Sequence, residues 1–155
     1  GDHQVDLRAV EHRVVGSADR GQIVLGDGGN GRDAEARDEA LVTLYEADQR
    51  RQDPDTNELG RRAADMVSGV WSEREALDAV IGETATGWRV ERMPPVDRNV
   101  LRIALWELRN RPGTPVPVVI SEAVRLAKTY STARSGGFVN GVLARLAGER
   151  RPAEG

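Results

Sequence analysis

The sequence predicts an all-α fold, and three observations carry that expectation. From residue 32 onward, apolar residues recur at the three-to-four-residue spacing of a helix face in one segment after another. Prolines stand where such segments begin, a position that a helix tolerates. The connections are short, and no repeat of about 20 to 50 residues suggests a solenoid. At 155 residues, 39% apolar and 30% charged, the chain has the size of one ordinary domain with room for a core.

Residues 1–31 lack a sustained period and are expected to form a flexible N-terminal arm. Within it, Gly26-Asp27-Gly28-Gly29-Asn30-Gly31 follows a β-leaning run at Gln22 to Leu25 and spells G-x-G-x-x-G. A dinucleotide fold also needs a second parallel strand ending in an acidic residue. Arg51-Gln52-Asp53-Pro54-Asp55 and more helix follow instead, which favours a linker.

Ala36, Ala40, Leu41, Leu44 and Tyr45 define the first helix, from about residue 34 to 51, with Asp33 as its N-cap. Leu59, Ala63, Met66, Val67 and Val70 make a second apolar face. Ser72-Glu73-Arg74-Glu75 has the S-x-x-E spacing of a capping box, which predicts a separate third helix carrying Leu77, Val80 and Ile81. Met93-Pro94-Pro95 imposes an extended entry on the strongest stripe: Val96, Val100, Leu101, Ala104, Leu105 and Leu108. Pro117 suits the first turn of the next helix, whose inner face is Ile120, Ala123, Val124, Ala127 and Tyr130. Ser131 to Gly137 reads as a loop, and Phe138, Val139, Val142, Leu143 and Leu146 as a last helix ended by Gly148. The expected organisation is an arm over 1–31, a helical domain over 32–148, and a frayed tail over 149–155.

Composition removes several function classes. The chain has no cysteine, which excludes disulfides and thiolate chemistry. Its only histidines, His3 and His12, lie in the arm at a spacing that places no pair on one helical turn, so no metal site is expected. Without a histidine in the helical part, no Ser-His-Asp arrangement can assemble. Paired acids such as Asp53 with Asp55 stand where carboxylates cap amides. No catalytic residue, cofactor or enzyme activity is therefore expected. Apolar runs far shorter than a membrane span and the lack of a secretory leader pattern make the cytoplasm the expected location. The net charge of −3 conceals a division: residues 88–155 carry 12 Arg and Lys against 6 Asp and Glu.

Two segments carry a family resemblance. Residues Trp88 to Leu108, with the sequence WRVERMPPVDRNVLRIALWEL, resemble the central signature of the NusB family of bacterial transcription antitermination factors. Ile120-Ser121-Glu122-Ala123-Val124-Arg125-Leu126-Ala127-Lys128-Thr129-Tyr130, followed by Phe138-Val139-Asn140-Gly141-Val142-Leu143, resembles its second signature. Ala36-Arg37, Ala40-Leu41 and Leu44 to Asp48 are similar to its first helix, so the resemblance spans roughly residues 32 to 147.

The resemblance implies two packed helical subdomains and an antitermination factor that binds boxA-type single-stranded RNA. It would act with NusE, a small ribosomal protein, in an RNA polymerase antitermination complex that reads through ribosomal RNA operons, as a monomer or homodimer. It points to Arg32, Arg37, Arg134 and Phe138 as RNA-binding residues, because arginines neutralise phosphate and a ring can stack on an unpaired base. Phe138 reads equally well as core. It also implies Asp97 and Arg98 as partner-binding residues, with helix capping as the other reading of Asp97. Three departures accompany the likeness: Asp33, Ala34 and Glu35 stand where the family has a basic cluster, a helix after the first is missing, and Ala133-Arg134 replaces acidic residues before Phe138. A protein-only adaptor, or the RNA-recruiting domain of a ribosomal RNA methyltransferase, are the alternatives that these departures leave open.

Overall fold

The computed structural model describes residues 29–150, and within them five α-helices make one packed unit. They are α1 (Gly29–Arg50), α2 (Arg61–Thr84), α3 (Pro95–Asn110), α4 (Val116–Tyr130) and α5 (Ala133–Arg150), with a 3-10 turn at Val90–Arg92 before α3. The sequence expectations for residues 1–28 and 151–155, including both histidines, fall outside the described residues.

α3 is the hub, in contact with each of the other four helices. It is set up locally as the sequence predicts: Met93 and Pro94 are extended and Pro95 occupies the first turn. From Val96 to Leu108 every residue except Arg98 is buried, a wider face than the apolar stripe alone, because neighbours cover it all round. Leu101, Ile103 and Leu105 are fully enclosed beside Leu41, Leu44, Leu77, Ile81, Leu126 and Leu143.

Ion pairs fix the helix directions. Asp33 pairs with Arg62 near the start of both α1 and α2, while Asp48 and Asp78, further along each, converge on Arg102. α1 and α2 therefore run parallel, and the chain must travel back between them. Residues 51–60 make that return as irregular chain, pinned where the Trp71 indole donates to Asp53 (3.2 Å). The guanidinium of Arg74 lies 4.0 Å from the centre of the same indole, a cation–π contact.

Three boundaries depart from the sequence expectation. α1 begins at Gly29, so residues 29–31 belong to a helix rather than to an arm, and Asp33 lies inside it, bound to Arg62 instead of capping. α2 runs unbroken through the expected start at Ser72, whose hydroxyl donates to the Gly69 carbonyl one turn back. S-x-x-E spacing fits a helix interior as well as a helix start, and no proline interrupts the segment. α5 starts at Ala133 rather than Phe138, because Thr132 caps it, its hydroxyl accepting from the Ser135 amide (3.1 Å). Gly148 does not end it.

At Gly69, α2 lies directly against the Trp106 side chain of α3. A β-carbon there would stand 2.4 Å from Nε1 of the buried Trp106 indole. Gly69→Ala is therefore expected to destabilise by about 1–3 kcal/mol in a urea titration, despite alanine's better helix propensity. An unchanged midpoint would show that Trp106 yields freely.

Candidate nucleic-acid interface

The start of α5 is built by hydroxyls. Ser131 and Thr132 lie 3.0 and 3.2 Å from the Ser135 hydroxyl, which in turn donates to Asp97 Oδ2 (3.0 Å) on α3. This anchorage fixes α5 so that Arg134 is exposed and Phe138, one turn on, is half-buried against the core. Trp88 comes from the other side. α2 ends at Thr84, and Gly87 (φ 85°) takes the left-handed conformation that turns the chain outward. The Trp88 and Phe138 rings meet at 5.5 Å between centres and 57° between planes, a tilted aromatic pair. Trp88 remains 51% exposed.

The pair borders an open cleft of about 390 Å³, lined also by Thr84, Ala85, Thr86, Gly137, Gly141, Val142 and Arg145. Arg145 crosses it to donate to the Thr86 hydroxyl (3.2 Å). Arg134, Phe138, Gly141 and Arg145 recur at intervals of four, three and four residues, so they follow one face of α5.

Arg37 differs from its expected role. It is only 4% exposed, with Nε and NH2 each 2.8 Å from the Glu107 carboxylate and NH1 3.4 Å from Glu122. Arg125 continues the network to Glu122 and Asp38, at 3.2 Å each. Burial alone would lower the Arg37 pKa, but the two carboxylates outweigh it and hold the pKa above the ordinary arginine value. Its charge is spent tying α1 to α3 and α4, so this guanidinium is not presented to RNA. Glu39, nearby on α1, is pushed up by partial burial and by Glu35 and Asp38, which marks the acidic character of this helix.

Asp97 and Arg98 also face inward. Asp97 is 3% exposed and accepts from Ser135, so it lies on no polar rim; nor does it cap α3, whose N-cap position is Pro94. Arg98 binds Asp48 (2.9 Å) and the carbonyls of Val90 and Met93 (3.3 and 3.4 Å), holding the 3-10 turn that follows Trp88. Asn99 and Arg102 join the same Asp48, and Arg102 grips Asp78 with two bonds of 2.7 Å.

Arg32 is exposed at the start of α1 but far from the cleft. The distance is set by α2, which carries Arg62 beside Asp33 at one end and Thr84 at the cleft, 22 residues on, or roughly 33 Å. Of the four arginine and aromatic candidates for RNA, only Arg134 and Phe138 are brought together. Trp88 and Arg145 are the additions the sequence reading missed. Their available signals were the glycine before the tryptophan and the seven-residue interval from Phe138 to Arg145.

No described helix is long and apolar enough to cross a membrane, and the described residues hold no cluster of three potential metal ligands. An aromatic pair with arginines on the same helix face, carried on a helical body, has the side chains of a binding surface. The NusB family model matches residues 30–148, and the chain belongs to that family, a non-enzymatic family of transcription antitermination proteins. A relative from Frankia casuarinae, a transcription antitermination protein NusB, is 48% identical over 110 residues, covering 71% of this chain and 79% of its own length. The match to the NusB of Sorangium cellulosum is 54% identical over 89 residues, 57% of this chain, and spans 64% of that protein. Among solved structures, T. maritima NusB superposes with a TM-score of 0.69 at 32% identity, covering 77% of this chain and 93% of that one. A structure of the antitermination factors NusB and NusE in complex with dsRNA superposes with a TM-score of 0.60 at 29% identity, covering 74% and 94%.

Proposed function

We propose that this chain binds boxA-type single-stranded RNA together with NusE, in the cytoplasm, as part of an RNA polymerase antitermination complex acting on ribosomal RNA operons. The observation that carries this reading is the Trp88–Phe138 pair, half open to solvent and flanked by Arg134 and Arg145. Aromatic faces take unpaired bases, and arginines beside them neutralise the phosphates. A related NusB solved with NusE in complex with dsRNA supports the coarser part of it, contact with NusE and with RNA. Arg32 serves as a distant phosphate contact. Asp97 and Arg98 contribute to the partner surface indirectly, by fixing α5 and the 3-10 turn.

Binding of a boxA-type oligonucleotide at several salt concentrations tests the proposal. With about three phosphate contacts, from Arg32, Arg134 and Arg145, the log–log salt slope is expected near −2, following roughly −0.7 per contact on a single strand. Phe138→Ala should weaken binding by about 1–3 kcal/mol at an almost unchanged slope, because stacking releases no counterions. Arg134→Ala should instead reduce the slope by somewhat less than ~1 unit. If neither substitution alters RNA affinity while NusE still binds, the protein-only adaptor replaces this reading.

A further inference from the structure

The geometry points to the cleft beside Trp88 and Phe138 as a seat for one unpaired nucleobase, with Trp88 as a stacking platform, Arg145 as the phosphate anchor and Gly141 as the position that keeps the seat open. This rests on the RNA reading above and assigns to it three residues that the signature resemblance did not.

Trp88 keeps about half of its surface in water although Phe138 covers part of it. A large indole left open beside an apolar wall gains from a flat apolar occupant. The cleft, about 390 Å³ and open to solvent, has the volume to take a nucleobase. Its charge selects the occupant. Arg145 lies in the lining and, among the described residues, donates to a neutral hydroxyl, that of Thr86, while Arg134 stands further along the same face of α5. Among the described residues no carboxylate lines the cleft, so the side chains bordering it suit an anion-bearing aromatic group such as a nucleotide.

Gly141 fits the same picture. A glycine inside a helix is unfavourable relative to alanine, and it is usually explained by a close internal neighbour. Such neighbours exist elsewhere: Trp106 at Gly69, and the Lys128 stem, 2.8 Å from a β-carbon built at Gly136. At Gly141 a β-carbon would meet nothing within 4 Å, and the space it would enter is the cleft. Gly148 on the same helix is equally open, so what distinguishes Gly141 is its place in the cleft lining, where a larger side chain would enter the seat.

The test uses the full chain and boxA-type oligonucleotides carrying the fluorescent base 2-aminopurine at successive positions. Wild-type protein is expected to quench one position most strongly. Gly141→Leu should unfold no earlier than wild type, since it fills open space with a better helix former. It should lose that quenching and bind the RNA at least about 10-fold more weakly. Trp88→Ala should lose the same quenching. Gly148→Leu, on the same helix but away from the cleft and likewise without a neighbour within 4 Å, should bind as wild type does. If wild type binds RNA and Gly141→Leu binds equally well, the seat is disproved while the RNA reading stands. Equal losses in Gly141→Leu and Gly148→Leu overturn it as well, since the effect would then belong to any leucine on this helix. So does a Gly141→Leu protein that keeps its RNA and loses NusE, which would make the cleft a protein-docking site. Failure of wild type to bind any of the oligonucleotides overturns the RNA reading itself.

Discussion

Arg37→Ala should lower the stability of this protein by about 3–5 kcal/mol, among the largest losses expected from a single substitution here. The guanidinium bridges Glu107 and Glu122, and the Glu107 side chain is 2% exposed. Removing the cation leaves the Glu107 carboxylate buried without its two 2.8 Å donors, and the penalty is that stranded charge rather than the net worth of the pair. The double variant Arg37→Met/Glu107→Leu removes both charges together and should recover most of the loss, while Glu122 retains Arg125. The folded pKa of Arg37 is raised, so its contribution is fully present below the unfolded value and disappears only as pH rises through the folded one. Urea titrations of Arg37→Ala should therefore give the same loss across the neutral range. A loss below about 1 kcal/mol would mean that the side chain is hydrated and open to RNA, as the family resemblance implied.

That contrast shows where the sequence was legible. Apolar periodicity reports burial directly, and it located α3, its proline entry and the inner residues Ala123, Ala127 and Tyr130 of α4. It placed the face of α4 slightly off, since Val119 and Leu126 are buried while Ile120 and Val124 are only partly so. Helix ends were less legible. Ser72 offers the spacing of a cap but spends its hydroxyl inside α2, and Gly136-Gly137 looks like a loop but continues a helix begun by Thr132. Capping residues act through local bonds that compete with the same bonds in a helix interior, so tertiary packing decides.

Charged residues were the least legible. Arg37, Asp97 and Arg98 look like surface groups in a linear sequence, but each has an opposite charge or a hydroxyl donor that arrives from a distant helix: Glu107 for Arg37, Ser135 for Asp97 and Asp48 for Arg98. The signature segment around α3 consequently does structural work, and the side chains open to a ligand lie on its flanks, at Trp88 and along α5. Phe138 could be read as core or as platform. It packs on the core and is in contact with a half-exposed tryptophan, and the platform role belongs to the proposed RNA binding.

Leu105→Ala is expected to cost about 2–5 kcal/mol, through lost transfer energy and the cavity left behind. Leu105 is fully buried at the middle of α3, the helix that every other helix touches, so packed neighbours limit how far the space can be refilled. Close packing makes such collapse incomplete, which places the expected loss in the upper part of that range. The same substitution separates stability from binding. The Trp88–Phe138 cleft is carried by the end of α2, the turn that follows it and residues 137–145 of α5, so a Leu105→Ala protein, studied below its unfolding transition, should bind a boxA-type oligonucleotide with wild-type affinity. Phe138→Ala should show the opposite balance, with the larger effect on RNA. Denaturant titration and RNA binding of both variants decide the matter. A Leu105→Ala protein as stable as wild type would remove this residue from the load on the core. One that is folded but unable to bind RNA would tie the recognition surface to the packing of α3 itself.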